Sequence, residues 1–149
     1  RPGRRFNEPH DAAVRVLTEG LVALGLLQGD AAELIQAETY KSFYMHRTGH
    51  WLGMDVHDVG GYKTGDEWRV FEPGMVTTIE PGLYLPVGGQ ILDQRWARLG
   101  VHLETDLDKR WQRIGVRIED DVQVTAGEPE VLTAAAPKEI DDIEALMRR

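Results

Sequence analysis

Glycine and proline interrupt the middle of this chain so densely that it cannot form a long helix there. Four glycines stand close together at positions 49, 53, 60 and 61, and Pro-Gly pairs follow at 73–74 and 81–82. Glycine weakens a helix interior and proline breaks it, so this region must use short strands and turns. The clear helical patterns lie toward the two ends of the chain. The arrangement predicts an α+β protein.

The two ends carry amphipathic helical patterns. The first helix has one apolar face, formed by Ala13, Leu17, Leu21 and Leu24. Asn7 suits the cap of this helix and Gly25 its end, whereas Asp30 suits the cap of a shorter helix over residues 31–35. We interpret both as packing helices. A third helix, over residues 138–149, presents an apolar stripe formed by Ile140, Ile143, Leu146 and Met147.

Two stretches of the glycine-rich region have β patterns. Alternation over residues 54–59 predicts a short strand with Asp55 and His57 on one face. The β-rich run over residues 75–79 predicts a second strand, which ends at Glu80. Since this glutamate precedes a proline, its backbone is biased toward extended geometry.

The clearest alternation covers residues 114–124. Its apolar face is formed by Ile114, Val116, Ile118, Val122 and Val124. The opposite face carries Arg117 and Glu119, so the guanidinium can orient carboxylates near it. The preceding residues, 87–112, are rich in charge and have no clean period, and we interpret them as a possible insertion with a short helix inside it.

The composition argues against several classes of partner. The 149 residues carry a net charge of -8, whereas binding to nucleic acid or to an anionic membrane needs concentrated positive charge. No apolar stretch approaches the roughly 18 residues of a membrane-spanning helix. Cysteine is absent, which excludes disulfides and thiolate metal sites and fits a reducing compartment. We expect a cytoplasmic protein with no nucleic-acid or membrane partner.

Several chemically capable side chains remain once the packing elements are set aside. One histidine, from the pair His46 and His50 or from the run 55–58, could join Glu80 and Glu119 around a divalent cation that keeps a position open for water. Each residue alone has a plainer interpretation, because strand histidines are usually hydrogen-bonded and polar-face glutamates are usually solvated. The two histidines also lack the glutamate of the His-Glu-x-x-His zinc motif. The spacing therefore leaves both interpretations open.

Three strings in the chain resemble the aminopeptidase P and prolidase family. They are MHRTGHWLGMDVHD at 45–58, EPGMVTTIEPGLY at 72–84 and GVRIEDD at 115–121, in that order. Members of this family are dinuclear metallopeptidases with the pita-bread fold. The resemblance implies that residues 1–149 form the C-terminal portion of a catalytic domain. The implied fold is the C-terminal half of a pita-bread (creatinase/aminopeptidase-like) fold, in which helices cover a curved, mainly antiparallel sheet.

The resemblance implies metal ligands by position. His50, Glu80 and Glu119 match ligands of the family, with Glu119 at the position that bridges two ions and Glu80 as a ligand that also carries a proton. The implied cofactors are two divalent cations, Mn or Co first and Zn as a further choice. The family uses five ligands, and two of them are aspartates that precede the matched region. We therefore expect an incomplete site and weak or absent activity in this chain by itself.

The resemblance also implies residues that act on the substrate. His57 matches the histidine that contacts the scissile carbonyl and the developing oxyanion, and His46 matches a histidine of the proline pocket. Arg117 and Tyr84 match residues that position the site. The implied reaction, carried out by the parent protein, is metal-assisted hydrolysis of the bond between an N-terminal residue and a following proline.

Other interpretations follow from a chain with three of five ligands. A pseudoenzyme or a non-catalytic fragment could use the same surface to bind a partner, and metal-free relatives such as creatinase share the fold. Joint retention of His50, Glu80 and Glu119 favours the metallopeptidase. The sequence does not separate an aminopeptidase from a dipeptidase, although Trp51 and Leu52 favour aminopeptidase P. The expected partners are a proline-containing peptide and either a second copy or the missing N-terminal half.

Overall fold

The computed structural model describes residues 1–85, 111 and 113–148. In chain order its elements are α1 (Glu8–Ala23), α2 (Ala31–Gln36), a 3₁₀ helix (Thr39–Ser42), β1 (Leu52–Gly53), β2 (Val56–His57), β3 (Lys63–Thr64), β4 (Glu67–Trp68), β5 (Val76–Ile79), β6 (Gly82–Leu85), β7 (Ile114–Arg117), β8 (Asp120–Gln123), β9 (Glu130–Val131) and α3 (Ile140–Met147). The predicted α+β class is confirmed. The possible insertion at 87–112 lies almost entirely outside the described residues.

All strand pairs in the described part of the chain are antiparallel. β1 pairs with β2, β3 with β4, and β6 with β7, while β5, β8 and β9 form a three-stranded sheet with β8 in the centre. Antiparallel strands can be joined by very short turns, which suits a region so rich in glycine and proline. The mainly antiparallel arrangement that we expected is thus present.

The described residues form two compact units, and the first of them has an aromatic core. This first unit contains Arg1–Asn7, Gly49–Glu80 and Ile118–Arg149. The Phe6 ring centroid lies 4.6 Å from that of Trp51, and both pack against Phe71 and Val124. Burial of a large apolar side chain contributes about 1.5–3 kcal/mol. The core therefore fixes the backbone at Trp51, the residue that follows His50.

The second unit has an aliphatic core between helices and a strand pair. It contains Glu8–Thr48 and Pro81–Arg117. Its largest buried cluster combines residues of α1, the segments after it and β6, namely Leu21, Leu27, Leu34, Phe43 and Leu85. A second cluster joins Val14 of α1 to Tyr40 and Tyr44. Both tyrosines belong to the segment that leads to His46.

The two predicted N-terminal helices are present. α1 buries Val14, Thr18 and Leu21. Leu24 was wrongly placed on its buried face, because α1 ends one residue earlier and this side chain is 51% exposed. α2 begins after Asp30, whose carboxylate accepts hydrogen bonds from the backbone N–H groups of Ala32 and Glu33. This cap is the one that the sequence predicted.

The strand predicted over residues 114–124 is two strands. β7 pairs with β6, and β8 pairs with β5. Glu80–Pro81 separates β5 from β6, and Ile118–Glu119 separates β7 from β8. Proline has no backbone N–H to donate, so a ladder cannot continue through it. The prediction of one continuous strand was therefore wrong, and both glutamates lie at strand ends.

Residues 54–57 belong to the tight hairpin of β1 and β2, whereas we predicted a single strand over residues 54–59. β1 and β2 pair with His57 opposite Leu52, so only two residues form the turn. Val56 has φ +63°, a left-handed conformation that is uncommon for a β-branched residue. The His57 N–H donates to the Asp55 carbonyl at 2.7 Å. Period-two alternation is shared by a straight strand and a short-armed hairpin, which explains the wrong prediction.

Several apolar side chains of the described residues remain exposed. The helix predicted near the carboxyl terminus is present as α3, but Ile140 is 74% exposed and Met147 is 81% exposed. On the apolar face predicted for residues 114–124, Val116 is 56% exposed while Val124 is buried. The alternation of apolar and polar residues thus predicted which side chains share a face, but it did not predict which of them are buried. Among the described residues no helix combines the length and the apolar character that crossing a membrane requires.

Candidate metal centre

Three of the side chains that the sequence singled out converge in the first unit. His50, Glu80 and Glu119 each offer one ligand atom, and these three atoms all lie within 4.8 Å of one another. His50 Nε2 is 3.2 Å from Glu80 Oε1. Glu80 is buried, His50 is partly buried and Glu119 is exposed. We call these three residues the ligand cluster.

The pairing of β5 with β8 explains why the two glutamates meet. Ile79, the last residue of β5, is opposite Asp120, the first residue of β8. Glu80 follows Ile79 and Glu119 precedes Asp120. The antiparallel register therefore puts both carboxylates at the same end of the strand pair. The ladder between β5 and β8 ends at the pair Ile79 and Asp120. The ligand cluster is therefore a consequence of where the ladder stops.

His50 reaches the cluster in a defined tautomer. Its Nδ1 is 2.9 Å from the Trp51 carbonyl, which can only accept, so Nδ1 carries the proton that is donated. In the neutral ring this leaves the lone pair on Nε2, the atom that faces Glu80. A backbone carbonyl on one ring nitrogen is the usual way in which a metal-binding histidine is oriented.

Two threonines of β5 hold the backbone of His50. The Thr77 hydroxyl and the Thr78 N–H both donate to the His50 carbonyl at 2.9 Å. The Thr78 hydroxyl accepts from the His50 N–H at 3.0 Å and donates to Glu80 Oε1 at 2.9 Å. Thr78 is not among the predicted site residues. The signal in the sequence is its position two residues before Glu80, a spacing that puts two side chains on the same side of extended backbone.

Gly49 allows the chain to approach β5 this closely. A Cβ atom at this position would lie 2.0 Å from the Thr78 carbonyl oxygen, far inside van der Waals contact. Any other residue would push His50 away from β5. The glycine that we interpreted as a helix breaker is thus required for close backbone approach.

His57 lies beside His50 within the first unit. The two ring centroids are 4.1 Å apart with an angle of 39° between the planes. The β1–β2 hairpin presents His57 at its exposed edge, directly after the left-handed Val56. Uncommon backbone conformations of this kind often occur at functional sites. Four of the seven predicted site residues are therefore together in this unit.

The other three predicted site residues form a separate group in the second unit. Arg117 Nε donates to the Tyr84 hydroxyl at 2.8 Å, and that hydroxyl is 3.0 Å from His46 Nε2. His46 Nδ1 is 2.8 Å from the Arg47 carbonyl and must donate to it. In the neutral ring Nε2 then accepts from Tyr84. We call His46, Tyr84 and Arg117 the tyrosine cluster.

A partly buried histidine of α1 lies near the tyrosine cluster in the same unit. His10 Nδ1 is 2.9 Å from the Thr48 hydroxyl, which also contacts the Tyr44 hydroxyl. Tyr44 packs edge-on against His46, with ring centroids 5.0 Å apart. Burial, assisted by the positive charge of Arg47, lowers the pKa of His10 to about 4. His10 is therefore neutral near pH 7.

The donor chemistry of the ligand cluster fits a divalent cation. An imidazole nitrogen and carboxylate oxygens are ligands that Mn, Co and Zn all accept. Two ligands of one ion are separated by at most about 4.4 Å, twice a bond of about 2.2 Å, which is comparable with the spread of these atoms. Two carboxylates beside a lone pair also concentrate negative charge, which a cation would neutralise. Divalent metal binding is the chemistry that this arrangement supports.

Comparison with known proteins gives one family. The model of metallopeptidase family M24 matches residues 1–126. A Xaa-Pro aminopeptidase of Haemophilus influenzae is 44% identical over 146 residues, which cover 98% of this chain and 30% of that protein. The chain thus spans about a third of the length of this curated relative.

Two solved structures share the fold. The aminopeptidase PepP of Pseudomonas aeruginosa has a TM-score of 0.83 and is 56% identical. A zinc-substituted aminopeptidase P of Escherichia coli, in complex with product, has a TM-score of 0.80 and is 42% identical. Each match covers 99% of this chain and 30% of the other. The expected pita-bread fold is confirmed.

Proposed function

Since the chain belongs to metallopeptidase family M24, we propose that it contributes to hydrolysis of the peptide bond between an N-terminal residue and a following proline. The similarity to a Xaa-Pro aminopeptidase supports this substrate class. The proposal concerns a catalytic domain of the relatives' length that carries these residues. The observation that carries it is the convergence of His50, Glu80 and Glu119 within 4.8 Å.

We propose that His50, Glu80 and Glu119 would hold part of a two-cation centre. Mn²⁺ and Co²⁺ are the first choices and Zn²⁺ the third, since all accept mixed nitrogen and oxygen ligands. The zinc-substituted relative supports a site that tolerates exchange of the metal. When bound, such cations supply Lewis acidity, which acidifies water and polarises the carbonyl of the scissile bond.

The other residues would act directly on the substrate or hold those that do. Glu80 is proposed to carry a proton to the proline nitrogen, and His57 to donate a hydrogen bond to the oxygen of the scissile carbonyl as charge develops there. A donor of this kind contributes about 3 kcal/mol to lowering the barrier. His46 would line the proline pocket, with Tyr84 and Arg117 holding its ring through the hydrogen bonds described above.

Between the two activities of the family, we propose the aminopeptidase. The curated relative named above is a Xaa-Pro aminopeptidase, which supports cleavage of peptides longer than two residues. A dipeptidase would require a group that recognises the carboxylate directly after proline. A Xaa-Pro dipeptide and a longer Xaa-Pro peptide, assayed side by side, distinguish the two activities.

The activity can be tested by transplanting this chain. Its 149 residues would replace the matching segment of the Pseudomonas aeruginosa enzyme, to which they are 56% identical. We expect the chimaera to hydrolyse a longer Xaa-Pro peptide with added Mn²⁺, and Glu80→Gln in the chimaera to abolish hydrolysis. A folded chimaera without hydrolysis would contradict the proposal and favour a non-catalytic binding module. The 149-residue chain alone is expected to show weak or no hydrolysis.

We also propose that the chain associates, either with itself or with further protein. The exposed apolar side chains of α3 support this, since Ile140 and Met147 are both more than 70% exposed. Sedimentation velocity with the purified chain is the test. A stable monomer over a wide range of concentrations would count against association.

A further inference from the structure

We propose that Thr78 is a positioning residue that couples two metal ligands, so that its hydroxyl sets metal affinity. This rests on the proposed function, because it takes His50 and Glu80 to be ligands. The hydroxyl oxygen is 3.0 Å from the His50 nitrogen and 2.9 Å from Glu80 Oε1. One atom therefore touches the backbone of one ligand and the carboxylate of the other.

The direction of these two hydrogen bonds is determined by their partners. The His50 N–H can only donate, so the Thr78 oxygen accepts there. The single proton of the Thr78 hydroxyl is then donated in a hydrogen bond to Glu80 Oε1. A threonine hydroxyl both accepts and donates through one oxygen atom, and a valine side chain can do neither. The residue type matches this position.

Burial makes the hydroxyl hard to replace. Thr78 is 1% exposed and Glu80 is 8% exposed, so bulk water has little access to either side chain. Without the hydroxyl, the His50 N–H and Glu80 Oε1 both lose this partner inside the protein. The carboxylate loses one of the contacts that orient it, and the His50 backbone loses one of its bonds to β5. Both changes loosen the ligand cluster before a metal binds.

Thr77 provides a natural comparison on the same strand. It is also buried, at 3% exposed, and its hydroxyl donates to the His50 carbonyl. The Thr77 hydroxyl donates hydrogen bonds to backbone carbonyls, whereas the Thr78 hydroxyl donates to the carboxylate of a ligand. Replacing either threonine by valine thus removes a buried hydroxyl. Contact with Glu80 is the feature by which they differ.

The test compares Mn²⁺ affinity with folding stability in the 149-residue chain. Mn²⁺ dissociation constants come from isothermal titration calorimetry, and unfolding of the metal-free chain is followed in urea. We expect Thr78→Val to weaken Mn²⁺ binding about 10–100-fold, as removal of a partner of a ligand typically does. Thr77→Val is expected to lower stability by a similar amount and, because it leaves the contact with Glu80 in place, to weaken binding less than Thr78→Val does.

A second pair keeps the test valid if Thr78→Val fails to fold. Thr78→Ser and Thr78→Ala both lose the methyl group and differ only in the hydroxyl. We expect the serine variant to bind Mn²⁺ like the wild type and the alanine variant to bind about 10–100-fold more weakly. Equal affinities for serine and alanine would overturn the proposal, as would a valine variant with wild-type affinity.

The wild type and His50→Ala separate this proposal from the proposed function. If the wild type does not bind Mn²⁺, or if His50→Ala binds it equally well, the three residues of the ligand cluster do not hold a cation by themselves and the Thr78 proposal fails. The proposed hydrolysis is then decided by the chimaera with the Pseudomonas aeruginosa enzyme. If His50→Ala loses binding while every Thr78 variant retains it, only the Thr78 proposal fails. The expected pattern is loss in His50→Ala, partial loss in the valine and alanine variants, and rescue by serine.

Discussion

The ligand cluster and the tyrosine cluster differ in how their polar groups are satisfied. In the tyrosine cluster the Arg117 guanidinium donates to the Tyr84 hydroxyl and lies 3.3 Å from His46 Nε2. The Tyr84 hydroxyl donates to the same nitrogen, and His46 donates to a backbone carbonyl. In the ligand cluster three hydrogen-bond acceptors lie close together, namely the lone pair of the His50 ring and two carboxylates. In the first arrangement donors and acceptors match within the protein, whereas the second presents acceptors that suit a cation.

This difference teaches how to recognise a ligand site from geometry. Both clusters contain a histidine in the Nδ1–H tautomer with its Nε2 aimed at a functional partner. The partner decides the outcome: a hydroxyl can donate to the lone pair, but a carboxylate cannot do so unless it is protonated. If the two clusters are independent, a substitution in one of them leaves the properties of the other unchanged.

The largest expected effect is stabilisation by metal. Mn²⁺ at about 100 times its dissociation constant should stabilise the folded chain by about 2.7 kcal/mol, and EDTA should reverse this. Glu119→Gln should lose the effect because it removes a ligand charge. Tyr84→Phe should keep it. Urea unfolding with Mn²⁺ and with EDTA measures the difference, and equal loss in both variants would show that the two clusters are not independent.

A second prediction concerns the close approach at Gly49. Gly49→Ala should destabilise the chain by about 1–3 kcal/mol, since the new methyl group overlaps the Thr78 carbonyl and the structure must shift. It should also weaken Mn²⁺ binding. Gly61→Ala is the matched control, because a Cβ there has its nearest neighbour at 3.5 Å. Similar losses of stability in the two alanine variants, measured in urea, would contradict the steric explanation.

Loss of one hydroxyl should affect only the tyrosine cluster. Tyr84→Phe removes one of two donors to His46 Nε2, since Arg117 Nη2 lies 3.3 Å from the same nitrogen. It also removes an acceptor of Arg117, and we expect a cost of about 1 kcal/mol. The ¹⁵N chemical shift of His46 Nε2 should move while Mn²⁺ affinity does not. Arg117→Lys keeps the charge without the planar guanidinium and should shift His46 less. An unchanged Nε2 shift in Tyr84→Phe would show that the hydroxyl does not donate to His46.

The smallest expected effect is a pH dependence from His10. Its pKa is about 4 in the folded chain and about 6.5 when unfolded, so the unfolded chain binds more protons between these values. Stability from this group is therefore complete above pH 6.5 and falls as the pH drops toward 4. Since His10 is only partly buried, solvent screening keeps the effect modest.

The variant His10→Asn isolates this contribution. Carboxylates also lose stability in acid, so the relevant quantity is the difference between wild type and variant. We expect the unfolding free energy of the wild type to fall more steeply from pH 6.5 to 4 than that of His10→Asn. Parallel curves in urea titrations at several pH values would contradict the lowered pKa.

Local features were predictable from the residues that cause them. Asp30 was predicted as a cap because aspartate accepts from the first N–H groups of a helix, and the structure has this cap. The run over residues 75–79 was predicted as a strand and became β5. The strand at 54–59 and the continuous strand at 114–124 were wrong. In both cases alternation identified extended backbone, while the position of a turn or a break depended on a partner strand.

The sequence by itself determined the candidate chemistry of this protein. It contains the histidines, the glutamates and the glycines that break helices, and three strings identify the metallopeptidase resemblance before any coordinate is known. Residue identity and local backbone preference are properties of short segments, so they can be determined without a fold.

Only the tertiary structure decided which of these residues meet. The pairing of β5 with β8 brings Glu80 to Glu119, and the bonds from Thr77 and Thr78 bring His50 to both. Strand register across long stretches of chain depends on packing of the whole unit, and alternation does not encode it. For the same reason Thr78 became visible as a coupling residue only when both of its partners were in place.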